Sequence, residues 1–79
     1  RLSAAQSIYT FLVDVERQAY NAYGMMNAYD QLGQIHLQQQ QFAEAIVAFE
    51  RGREVARQLK FREDYFTAQI QKAAAAAGP

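Results

Sequence analysis

The sequence predicts an all-α chain of about four helices, arranged as antiparallel helix-turn-helix repeats. Three observations carry that expectation. The only proline is Pro79, so no interior position breaks a helix on steric grounds. Ala, Gln, Leu, Glu and Arg dominate the composition, which favours helix, and no long stretch shows the β-branched alternation of a strand. Finally, the chain matches itself when slid by 40 residues.

The first helix begins near Ser3, a suitable N-cap, and carries Ile8, Tyr9, Phe11, Leu12, Val15 and Ala19. Ile8, Leu12, Val15 and Ala19 keep helical spacing on one face, while Phe11 and Val13 fall well off it. The helix is therefore apolar over more than half its circumference, a pattern that calls for neighbours on two sides. Around residues 21–24 the pattern slackens, and Gly24 either ends the first helix or opens the second. The second helix, about residues 25–38, shows Met25, Tyr29, Leu32 and His36 at steps of three and four, with Gly33 beside them for close backbone approach.

Residues 38–41 are four glutamines, poor turn formers by propensity, yet the apolar phase restarts at Phe42 and requires a break there. The third helix is predicted over residues 42–59, with Phe42, Ala45, Ile46, Phe49, Gly52, Val55, Ala56 and Leu59 on one broad face. Glu44, Glu50, Arg51, Arg53, Glu54 and Arg57 form a solvated side with i,i+3 and i,i+4 pairing. A fourth helix, about residues 62–76, presents Tyr65, Phe66, Ile70 and Ala73 after Phe61, then runs into alanines that favour helix but bury little.

The 40-residue shift places Ala5 on Ala45, Tyr9 on Phe49, Val15 on Val55, Met25 and Met26 on Tyr65 and Phe66, Ala28 on Ala68 and Gln31 on Gln71. The first helix thus corresponds to the third and the second to the fourth. Within the central unit, Tyr29 is followed by Leu32-Gly33, His36, Ala45 and Phe49, with Gly52 at the next small position. This order resembles the tetratricopeptide repeat, in which an aromatic, Leu-Gly and Tyr on one helix precede Ala and Phe on the next. His36 stands where the family prefers Tyr, and Arg57 where it ends on proline. The spacing of 40 rather than about 34 residues, together with Leu32-Gly33-Gln34, is similar to the longer branch rich in Leu-Gly-Asn.

The resemblance implies an α-solenoid fragment: residues 1–20 as the second helix of a preceding repeat, 24–60 as one complete repeat, and 62–77 as the first helix of a following repeat or a capping helix. It also implies a non-enzymatic module that binds a protein or peptide in a groove of repeat helices. The groove residues carried over are Asn27, Asp30, Gln31, Gln34, Leu37 and Gln38, whose amides and carboxylate suit peptide backbone. Members that grip a terminal carboxylate use Lys, Arg and Asn there, and Asp30 and Gln34 argue against that clamp. A rival expectation is self-association, or service as a regulatory repeat of a larger protein. Ile8, Phe11 and Val15 on the over-apolar first helix are the residues for self-docking.

Other classes are disfavoured by composition. Eight basic residues balance eight acidic ones, so no cationic footprint for nucleic acid or an anionic membrane exists. The absence of cysteine removes disulfides and thiolate metal sites and leaves the compartment open, with the cytoplasm as the expectation. The longest apolar run, residues 8–15, is far short of the roughly 20 residues of a spanning helix. No signal-peptide pattern is present, and a chain beginning at Arg1 reads as a segment of something longer.

Chemistry-bearing residues are sparse. His36 lies on the apolar stripe with glutamines, not ligands, around it, so a packed histidine with satisfied ring nitrogens is expected. The carboxylate pairs Asp14 with Glu16, Glu50 with Glu54, and Glu63 with Asp64 read as solvated helix surface, with no cofactor implied. Tyr20, Tyr23, Met25, Met26 and Tyr29 are expected to form core between repeats.

Overall fold

Four helices follow one another in the computed structural model, which describes residues 2–18 and 21–78, with side chains 15–18 left out. They are α1 (Leu2–Gln18), α2 (Ala22–Gln38), α3 (Phe42–Leu59) and α4 (Glu63–Ala77), and no strand occurs among the described residues. The third helix has the span its apolar phase predicts. The second starts earlier than expected because Asn21 caps it, its side-chain oxygen accepting from the Gly24 N–H at 3.0 Å. Gly24 therefore opens α2 rather than ending α1.

Substantial packing occurs only between helices adjacent in sequence, α1 with α2, α2 with α3 and α3 with α4. The Cα trace occupies 39 × 30 × 13 Å, a thin slab. Its largest fully buried side chains are Met26, Phe49 and Phe66, one each from α2, α3 and α4. Two of them sit on glycines. A Cβ at Gly33 would overlap the ring of Phe49, and one at Gly52 would stand 2.5 Å from Cε1 of Phe66. Each glycine thus lets the following helix bring a whole ring against the backbone of the preceding one. Met26 and Phe66, like Tyr9 and Phe49, are related by the 40-residue shift; Tyr9 is only half-buried, because α1 packs against one helix and α3 against two.

On α1 the inward face differs from the stripe expected. Val13 is buried, with Tyr9 and Leu12 packed against the same core, whereas Ile8 is exposed. The face of Tyr9, Leu12 and Val13 faces α2, and Ile8 with Phe11 is left outside. Ala19 and Tyr20 lie outside the described residues. Tyr23, expected in the core, stands instead at an exposed end, edge-on to Phe61 with ring centroids 6.1 Å apart. Met26 and Tyr29 are buried as their spacing suggests.

Both of the later turns use one device. At the end of α2, the Gln41 N–H donates to the His36 carbonyl (2.8 Å) and the Gln40 N–H to that of Leu37 (3.0 Å). At the end of α3, the Phe61 N–H donates to the Ala56 carbonyl (3.0 Å) and the Lys60 N–H to that of Arg57 (3.1 Å). These are paired Schellman bonds, which need a left-handed residue just past the helix. Gln40 (φ 59°) and Lys60 (φ 54°) supply it without being glycine, at a steric cost of roughly 1–2 kcal/mol each. Propensity makes residues 38–41 look unsuited to a turn, but the capping bonds hold them in one.

Two stability measurements follow. Gly33→Ala forces the enclosed Phe49 ring to move and should destabilise the chain by about 1–3 kcal/mol despite alanine's better helix propensity, with Phe49→Leu in the same chain recovering part of the loss. Gln40→Gly should do the reverse, raising the urea midpoint by removing left-handed strain worth about 1 kcal/mol. Midpoints moving in the opposite directions would contradict the packing and the turn geometry respectively.

Candidate functional site

Two surfaces converge on α2, one towards α4 and the other between α1 and α3. On the first, Asp30 is the one buried charged side chain among the described residues. Burying a carboxylate is costly unless hydrogen bonds replace its water. The Tyr65 hydroxyl supplies the main replacement, donating across both oxygens at 2.8 and 2.9 Å, and Gln34 Nε2 approaches Oδ1 at 3.4 Å. One turn along, Gln34 Nε2 also donates to Gln69 Oε1 at 3.0 Å. Asp30 with Tyr65 and Gln34 with Gln69 are both 35 residues apart. Residues i and i+4 on α2 thus meet residues i and i+4 on α4 as two rungs of a polar ladder.

The Tyr65 ring is held from its other side. The Arg62 guanidinium lies 4.2 Å from its centroid, and the Phe66 ring meets it edge-on at 5.2 Å. Burial, the hydrogen bond to Asp30 and the charge of Asp30, in that order, push the Tyr65 hydroxyl above its ordinary value of 10.0. The proton that makes the bond is therefore held more firmly than in a free tyrosine.

The six residues carried over as a groove fall into three groups. Asn27, Gln31 and Gln38 are exposed. Asp30 is buried and Gln34 half-buried, and the ladder engages both. Leu37 is half-buried and packed against the core. Asn27, Gln31, Gln34 and Gln38 follow one another at steps of four, three and four, which puts a row of amides on one face of α2.

The second surface is a cleft of about 470 Å³ between α1 and α3, with α2 as its floor. Tyr29, Leu32 and His36 line it from below, Thr10, Val13 and Asp14 from α1, and Ala43, Glu44, Val47, Ala48 and Arg51 from α3. The apolar pattern of α3 marks its inward face, but nothing in one sequence says how far α1 stands from α3. The cleft was therefore not visible in the residue spacing. The His36 ring is anchored at its edge. Nδ1 lies 2.6 Å from Gln41 Oε1, and Nε2 lies 3.5 Å from Gln6 Nε2. An amide oxygen on Nδ1 and an amide nitrogen facing Nε2 suit the neutral tautomer with its proton on Nδ1.

Ile8 and Phe11 stand outside both surfaces, 57% and 65% exposed. The side chain of Val15, the third member of that set, lies outside the described residues, as does that of Glu16. Among the described residues no cluster of His, Cys, Asp or Glu could hold a metal ion, and no helix is long and apolar enough to cross a membrane. Arg57 bonds Glu54 and Glu63 at 3.0 Å each, all three at the surface, and the hydrogen bond to Glu63, followed by the charges of Glu63 and Glu54, raises the Arg57 value. No family model, curated protein or solved structure matches this chain significantly.

The ladder has a pH signature. Because the Tyr65 value is raised in the folded chain, its contribution is fully present below about pH 10 and is lost as pH rises through the folded-state value. Tyr65→Phe leaves Asp30 buried with only its long bond to Gln34 and should cost about 1–3 kcal/mol at neutral pH. The variant's urea midpoint should then fall less steeply than that of the parent chain above pH 10. Parallel alkaline profiles would show that Tyr65 does not carry the bond.

Proposed function

We propose that this segment holds another protein or peptide, without chemistry of its own, as a helical-repeat module of the tetratricopeptide kind. The observation that best supports this is the row of amides on α2. Asn27, Gln31 and Gln38 are exposed, while Gln34 between them is bonded to Gln69, on a helix braced by the Phe49 ring on one side and the Asp30–Tyr65 bond on the other. Amide groups can pair with the backbone of an extended or helical ligand whatever its side chains, and a braced helix loses little freedom on binding.

Self-association through α1 is the second reading. Phe11 and Ile8 favour it, as large apolar side chains one helical turn apart and more than half exposed.

A ligand selected on the parent chain from a displayed peptide library provides the test. Gln31→Ala with Gln38→Ala should weaken its binding at least about tenfold and move stability by no more than about 0.5 kcal/mol, as fits surface positions. Unchanged affinity would remove the amide row as the binding face. Phe11→Glu, read by light scattering, should abolish any association that runs through α1 while helicity is kept.

A further inference from the structure

The outer face of α3 has a pattern that fits a second copy of itself. Val47 is an exposed apolar side chain at the rim of the cleft, with Glu44 three residues before it and Arg51 four residues after it, both also on the rim. Among the described residues, neither Glu44 nor Arg51 has an ion-pair or hydrogen-bond partner. Turning the helix end for end about a point between Val47 and Ala48 exchanges the places of the two charges. We propose that two copies dock through α3, antiparallel and related by a two-fold axis near Val47, so that Glu44 of each meets Arg51 of the other.

The rim of the cleft adds apolar contact to this pairing. A helix set beside α3 covers Val47 and Ala43, the exposed apolar side chains on the α3 wall of the cleft, and closes over its mouth. Because the contact is two-fold, each α3 lies across the mouth of the other chain's cleft, and the assembly closes at two copies rather than growing into a filament. The zero formal net charge puts no long-range repulsion between the copies. The reciprocal ion pairs fix orientation and register more than strength, because exposed pairs are worth about 0–1 kcal/mol. Glu50 lies on the opposite flank of Val47, level with Ala45 of the other copy in this register, and adds no ion pair. Over the roughly 27 Å length of α3 this is a contact at the small end of specific interfaces, and its dimer is concentration dependent. It uses neither the amide row of α2 nor Ile8 and Phe11.

Charge exchange followed by light scattering and sedimentation tests it. Glu44→Arg alone and Arg51→Glu alone each place like charges opposite one another twice per dimer and should weaken association at least about tenfold. The double variant E44R/R51E should recover the parent's association. An equimolar mixture of the two single variants should form a one-to-one heterodimer while each alone stays monomeric, with circular dichroism confirming that all remain helical. A parent chain that is monomeric at every concentration, or a mixture that fails to pair, overturns the proposal. Loss of the dimer in Phe11→Glu with no effect of either charge variant also overturns it and assigns association to α1, while leaving the amide-row reading intact.

Discussion

The fold depends on ring-to-glycine contacts. In a slab whose Cα atoms span only 13 Å in depth, the two fully enclosed aromatics lie where a helix backbone comes right up to them. Gly33 and Gly52 provide that approach for Phe49 and Phe66, and both rings are completely buried as a result. The spacing of α2 from α3 and of α3 from α4 is therefore set by the thickness of one ring. Side chains elsewhere on these interfaces have to fit that distance.

Once the distances are fixed in this way, the polar ladder becomes affordable. Asp30 sits on the flank of α2 where the approach of α3 brings α4 within a side chain's reach, and Tyr65 then replaces the water that the carboxylate loses. A partner-less carboxylate at this depth would be a serious liability, and the same group with a tyrosine across both oxygens becomes a register mark between two helices that are not neighbours in sequence. The amides of Gln34 and Gln69 repeat the bond one turn on, and the row containing Gln31 and Gln38 inherits the rigidity.

Much of this was legible in the residues, for a physical reason: helix spacing and small-residue positions are local properties. The apolar phase restarting at Phe42 placed α3, and Gly33, Gly52 and Ala45 announced close packing. Periodicity could not decide which of two overlapping stripes on α1 faces inward, because Ile8–Leu12 and Tyr9–Leu12–Val13 are both helical, and only the position of α2 chooses between them. Nor could it see Tyr65 arriving at Asp30 from 35 residues away, although the i,i+4 polar pairs on both helices were a signal. Tyr23 has core-like spacing but sits in the first turn of α2, where the core ends, so it finds Phe61 instead. For the groove residues, the resemblance supplied positions along α2 but no information about which of them α4 would occupy.

Packing almost wholly between successive helices also fixes how the chain comes together and apart. Substantial packing joins only helices adjacent in sequence, so little loop entropy is lost before contacts form, and fast folding for the chain's size is expected. Opening is graded by position. α3, flanked on both sides, is the helix whose amide hydrogens are expected to exchange only with the whole structure, and α1, held by one neighbour, is the one expected to open ahead of it. The exposed Phe11 and Ile8 are thus carried by the element with the shallowest local stability, and whatever settles on them also acts as a clasp on the end of the stack.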